Sequence, residues 1–132
     1  KLKKKYEELK LDFELFSFSD NLTKYYEKAD LAITRSGASS LAELINLRTP
    51  FIAIPLPSST DSHQFQNANY FSEKGFCYLL EEKFVSDKLF EILIDLKKDR
   101  KKLFLMKEKM MNHSDKDSAL KITELIGKIL NE

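Results

Sequence analysis

Arg35-Ser36-Gly37-Ala38-Ser39-Ser40-Leu41-Ala42-Glu43 has the residue types and spacing of an anion-binding helix start. If a helix begins near Ala38, Ser39 and Ser40 lie in its first turn, and Glu43 sits four and three residues beyond them on the same face. Unpaired N–H groups, the positive end of the helix dipole and two hydroxyls then face a phosphate. Gly37 lets the backbone turn sharply and lets a ligand approach the main chain. A carboxylate one turn deeper suits ribose hydroxyls, as the acidic residue of dinucleotide sites does, so a nucleotide diphosphate is the natural guest. The same residues also fit a plain capping box, in which Ser40 and Glu43 only satisfy the helix's own N–H groups. Arg35 either lies near phosphate or pairs with a neighbouring carboxylate.

A second group follows in Pro55-Leu56-Pro57 and Asp61-Ser62-His63-Gln64-Phe65-Gln66-Asn67-Ala68. The prolines end a strand and stiffen the loop, and Asp61 or Ser62 can cap the next helix. His63, Gln64 and Asn67 then share a face and offer donors and acceptors in fixed geometry, which suits sugar hydroxyls. Read without a ligand, Asp61 and Gln64 form another cap and His63 is a surface residue. A metal site is not expected, because two histidines and one cysteine show none of the usual ligand spacings. No cofactor is expected either.

The elements that position these residues read as strands alternating with helices. Leu11 to Phe18 alternates as a strand does, Asp20 can cap a short helix through Lys28, and Leu31 to Thr34 reads as a short buried strand. Ser36 to Leu47 is a helix with Ala38, Leu41, Leu44 and Ile45 on its apolar face. Phe51 to Ile54 is continuously apolar, as an interior parallel strand should be. Ser62 to Lys74 is a helix ended by Gly75, and Phe76 to Leu80 a further strand. From Ser86 the chain is helical, with breaks near Asp99-Arg100 and Asn112-His113-Ser114 and a last apolar face at Ala119, Ile122, Leu125, Ile126 and Ile129. This predicts an α/β fold, a Rossmann-like parallel sheet flanked by helices, with a helical C-terminal end.

The 132 residues fit one domain, residues 1–132, with 42% hydrophobic and 33% charged side chains and no apolar run long enough to span a membrane. Twenty-two basic against 21 acidic residues give a net charge of +1, so no global field favours nucleic acid. The single Cys77 has no intrachain partner, which fits a reducing cytoplasm. The basic run Lys97-Lys98-Asp99-Arg100-Lys101-Lys102 either touches anionic lipid or is a solvated helix junction. The chain opens on Lys1 and reads as a piece of a longer protein.

Taken in order, Arg35-Ser36-Gly37-Ala38, Glu43, Pro50, Pro55-Leu56-Pro57 and Asp61, His63, Gln64, Asn67 and Ala68 resemble the C-terminal, donor-binding domain of the MurG-type UDP-N-acetylglucosamine transferases. These are enzymes of glycosyltransferase family 28 with the GT-B fold. The resemblance implies a Rossmann-like half of a two-domain enzyme that binds UDP-N-acetylglucosamine. It assigns Glu43 to the ribose, Ala38, Ser39 and Ser40 to the diphosphate, and Gln64 with His63 to the sugar; Gly37 and Asn67 join the substrate-binding candidates through the backbone turn and the shared helix face. Phe18 and Ser19 fall on the turn that receives uracil in the family, although Phe18 alone would read as packing.

The family's reaction transfers N-acetylglucosamine to a lipid-linked muramyl-pentapeptide in peptidoglycan synthesis, at the inner face of the cell membrane. In the family the N-terminal domain holds the lipid-linked acceptor, a Gly-rich loop and the proposed base, and a Gly-Gly-Ser type loop that reaches the diphosphate starts the C-terminal domain; this sequence contains none of these, so no catalytic residue is expected here. The alternatives are another GT-B transferase with a lipid-linked acceptor, or a non-catalytic α/β binding module.

Overall fold

Phe51, Ile52 and Ala53 are each 0% exposed, and they form the middle of a three-stranded sheet. The computed structural model describes residues 2–58 and 62–113. In it β1 (Ala32–Arg35), β2 (Phe51–Ile54) and β3 (Cys77–Leu79) run in the order β1-β2-β3, all parallel. Ala32 is in register with Phe51, and Phe51 with Cys77. Two short helices, α1 (Leu2–Glu8) and α2 (Thr23–Lys28), precede the sheet. Crossovers are made by α3 (Ala38–Asn46) and α4 (His63–Glu73), and a 3₁₀ turn (Glu82–Phe84), α5 (Val85–Lys98) and α6 (Lys101–Met111) follow β3. The expected alternation of strands and helices is therefore present, and the break near Asp99-Arg100 separates α5 from α6.

The core joins Leu41, Leu44 and Ile45 of α3 to Phe51 and Ala53 of β2, Ala68 of α4, Phe76, Cys77, and Met106 and Met110 of α6. Two crossover helices end in the same device. Gly75, at φ +75°, follows α4, the Gly75 N–H donates to Ser72 O and the Phe76 N–H to Phe71 O. Phe71 and Phe76 then stack at 6.1 Å, which completes a Schellman motif with its apolar contact. Arg48, at φ +58°, plays the glycine's part after α3, where Arg48 N–H donates to Ile45 O and Thr49 N–H to Leu44 O.

Cys77 is 5% exposed and its thiol points at Ala68 O, 3.8 Å away. Burial pushes the thiol from an ordinary 9.0 up to about 12, so the folded protein keeps it protonated where the unfolded chain ionises it. The contribution to stability is complete below pH 9 and is lost as the pH rises from there toward 12. At pH 8 the native protein should leave a thiol reagent unreacted and the denatured protein should consume one equivalent, a contrast that absorbance of the released chromophore measures. Equal rates in the two states would contradict this burial.

Four expectations need correction. Leu11 to Phe18 is not a strand. A strand's N–H and C=O groups need a neighbour's ladder, and β1 pairs only with β2 among the described residues. Leu11, Leu15, Phe16 and Phe18 are exposed, and the segment is fastened by ring contacts of Tyr6 with Phe13 and Phe16 with Tyr25, and by the Tyr25 hydroxyl donating to Glu14 at 2.9 Å.

Asp20 does not cap α2, because the helix starts later and the Asn21 Oδ1 accepts from the Lys24 N–H instead, at 3.3 Å. Among the described residues β1 is an edge strand, with Ile33 48% exposed, so it is half covered and not interior. Ala38 is exposed at the first position of α3, and the apolar face begins at Leu41. The last predicted helical face, Ala119 to Ile129, lies outside the described residues.

Candidate functional site

Parallel strands deliver every following helix start to one edge of the sheet, and that edge is where an open α/β sheet binds ligands. Here the starts of α3 and α4 and the 3₁₀ turn before α5 all open beyond the carboxyl ends of β1, β2 and β3. The arrangement follows from the short connections: two residues, Ser36 and Gly37, join β1 to α3.

α3 begins with Gly37 at the N-cap and no side-chain cap. The capping box therefore does not form, and the first-turn N–H groups of Ala38, Ser39 and Ser40 stay available to an anion. Ala38 and Ser39 are exposed and Ser40 is half-buried. Gly37 has φ −64° and ψ 137°, a conformation open to any residue, so the turn does not require glycine. A Cβ added there would meet nothing within 4 Å, and what the glycine keeps free is the space over the helix start.

Glu43 is half-buried one turn deeper, and the Thr23 hydroxyl of α2 donates to its Oε1 at 2.5 Å. Tyr26, one turn further along α2, has its phenol pKa raised by burial and then by the Glu43 charge. The carboxylate thus lies against α2. That helix follows the turn holding Phe18 and Ser19. Phe18 is 78% exposed, which removes the core reading and leaves a ring face open to a base. Ser19 Oγ accepts from the Asn21 N–H at 3.3 Å, shaping the turn.

At the start of α4, Ser62 stands in the left-handed region at φ +57° without a side-chain cap bond. Asp61 lies outside the described residues. His63 is exposed. Gln64 Oε1 accepts from the Leu56 N–H at 3.0 Å, which pins the Pro-rich loop and leaves the amide nitrogen for a ligand. The Asn67 Nδ2 approaches Ser36 O at 3.5 Å, so Asn67 faces the turn before α3 and brings the two residue groups together.

Arg35 takes the carboxylate reading: its Nη2 donates to Glu82 Oε1 at 2.9 Å. That hydrogen bond holds the Glu82 carboxyl below its ordinary range and raises Arg35. Glu82 also lines a cavity of about 330 Å³ with Pro55, Leu56, Pro57, Ser62, Phe65, Glu81 and Lys83, beside the predicted residues and not through them.

Two residues escaped the sequence reading. Thr23 carries no motif signal, since its partner is 20 positions away. The Ser36 hydroxyl is buried without a hydrogen-bond partner among the described residues, an uncommon state for a polar group; its place in the Arg35-Ser36-Gly37 run was the available signal. Among the described residues no three His, Cys, Asp or Glu side chains converge, so the groups offered to a ligand are N–H groups, hydroxyls, amides and the Glu43 carboxylate.

The uncapped α3 start and the held Glu43 stand in a chain whose residues 1–122 match the family model of the glycosyltransferase family 28 C-terminal domain. The chain belongs to that family. It is 38% identical over 131 residues to a Pelagibacter ubique protein named UDP-N-acetylglucosamine--N-acetylmuramyl-(pentapeptide) pyrophosphoryl-undecaprenol N-acetylglucosamine transferase, covering 98% of this chain and 37% of that protein. A Rickettsia felis protein of the same name is 33% identical over 131 residues, with 98% and 36% covered. The crystal structure of Acinetobacter baumannii MurG superposes with a TM-score of 0.73 at 25% identity, over 89% of this chain and 36% of that one. The Rossmann-like half of a family 28 GT-B fold is thus the fold of this chain, which spans little more than a third of these relatives' lengths.

Proposed function

We propose that the chain binds UDP-N-acetylglucosamine as the donor half of a hexosyltransferase that passes the sugar to a lipid-linked muramyl-pentapeptide in peptidoglycan synthesis. The observation that carries this reading is the uncapped α3 start with Glu43 one turn below it, in a member of family 28. Gly37, Ala38, Ser39 and Ser40 would take the diphosphate, Glu43 the ribose, Phe18 and Ser19 the uracil, and His63 and the Gln64 amide nitrogen the sugar hydroxyls. Asn67 would set the turn as much as touch the sugar. Attack by an acceptor hydroxyl on the anomeric carbon expels UDP, and the α3 N–H groups and dipole stabilise the charge growing on the diphosphate. The acceptor and the groups that activate it belong, in this reading, to the part of the relatives that the chain does not span.

Contact with a membrane surface is part of the same proposal. Lys97, Lys98 and Lys101 are exposed at the α5–α6 junction, whereas Lys102 and Arg100 are engaged by Asp95 and Asp30. Among the described residues no helix is long and apolar enough to cross a membrane.

An NMR titration of the labelled chain with UDP-N-acetylglucosamine, UDP-glucose and UMP tests the donor reading. Shifts at Phe18, Gly37 to Glu43 and His63 to Asn67 that saturate first with the N-acetyl sugar are expected. Equal response to both sugars would point to another transferase of the superfamily. Silence at millimolar nucleotide would leave a non-catalytic α/β module.

A further inference from the structure

α2 is six residues long with no fully buried side chain, too short to hold its own geometry. Two hydrogen bonds fasten it to the body: the Thr23 hydroxyl donates to Glu43 Oε1 at 2.5 Å, and the Thr49 hydroxyl donates to Tyr26 O at 2.9 Å. The first is short and charge-assisted, the stronger kind, and it joins the first residue of α2 to the carboxylate proposed for the ribose. A glutamate on a helix surface otherwise samples several rotamers, and freezing them on binding costs affinity.

We infer that Thr23 is a positioning residue for the donor nucleotide: its hydroxyl occupies one Glu43 oxygen, fixes the carboxylate rotamer and leaves Oε2 as the acceptor for the ribose hydroxyls. This rests on the donor reading above and adds a residue to it. The same bond anchors α2 where it leaves the Phe18-Ser19 turn, so the base and ribose contacts share one support. The side chain does not itself touch the ligand, and it acts through Glu43.

The test compares the wild-type chain, Thr23→Val and Thr23→Ser by titration calorimetry with UDP and with 2′,3′-dideoxy-UDP, alongside thermal unfolding. Valine keeps the branched shape and removes the donor. UDP should bind the valine variant about five- to tenfold more weakly, a loss typical of a hydrogen bond to a charged group. Dideoxy-UDP, lacking the hydroxyls that Glu43 would accept from, should bind all three proteins within about twofold. Serine restores the hydroxyl and should recover UDP affinity. Equal weakening toward both nucleotides would make Thr23 a structural clasp only and overturn the inference, as would unchanged UDP affinity in the valine variant. A wild-type chain that binds neither nucleotide would overturn the donor reading itself, and this inference with it.

Discussion

Glu43→Ala is expected to weaken UDP binding by roughly ten- to hundredfold, the loss of about 1.5–3 kcal/mol that accompanies removal of a charged hydrogen-bonding partner. Glu43 is half-buried at the α2–α3 contact and is not part of the apolar core, so thermal unfolding should move little. The variant removes both the proposed ribose acceptor and the partner of Thr23. Glu43→Gln separates these roles, because the amide oxygen still accepts from Thr23 while the charge is gone. Glutamine should fall between wild type and alanine for UDP. Calorimetric affinities that are unchanged in the alanine variant would remove Glu43 from the site. In that case the carboxylate would be a tie between two helices and nothing more.

Phe51→Ala should be the most damaging single change in the core. Phe51 is 0% exposed and pairs in register with Ala32 on one side and Cys77 on the other. It packs in the cluster that contains Leu41, Leu44 and Ala68. Truncating a buried phenylalanine costs about 3–5 kcal/mol, through lost transfer energy and the cavity left behind. Against a total of about 5–15 kcal/mol for an ordinary domain, that is enough to leave much of the chain unfolded at moderate temperature. Urea unfolding followed by circular dichroism should show the midpoint falling with little change in slope. The same truncation at Phe18, 78% exposed, should leave the unfolding free energy within about 0.5 kcal/mol of wild type. Similar losses at both positions would mean that Phe18 packs in the folded chain after all.

The parts that the sequence specifies locally are the ones it made legible. Phe51 to Ile54 reads as an interior strand because covered parallel strands are continuously apolar, and three of its four residues are fully buried. Gly75 reads as a helix stop because the left-handed conformation favours glycine, and its φ is +75°. The spacing of Ser39, Ser40 and Glu43 follows from the helical repeat alone. Alternation, caps and turns are set by neighbours within a few residues, and they are enough to give the βαβ order and the family likeness over residues 1–122.

Tertiary structure decided what those local signals could not. Leu11 to Phe18 alternates correctly yet makes no strand, because pairing depends on another segment lying alongside. Ser40 and Glu43 match a capping box, yet α3 has no side-chain cap and Glu43 turns to Thr23, 20 residues away. Arg35 finds Glu82 across 47 residues, and Asn67 approaches the carbonyl of Ser36 across 31. Each of these polar groups had several chemically equivalent partners in the sequence. Which one it meets is determined by the order and register of the three strands, since these set the positions of α2, α3 and α4 at the sheet edge. The sequence by itself determined the kind of site, a helix start with a carboxylate below it; only the packed sheet decided which side chains hold that carboxylate in place.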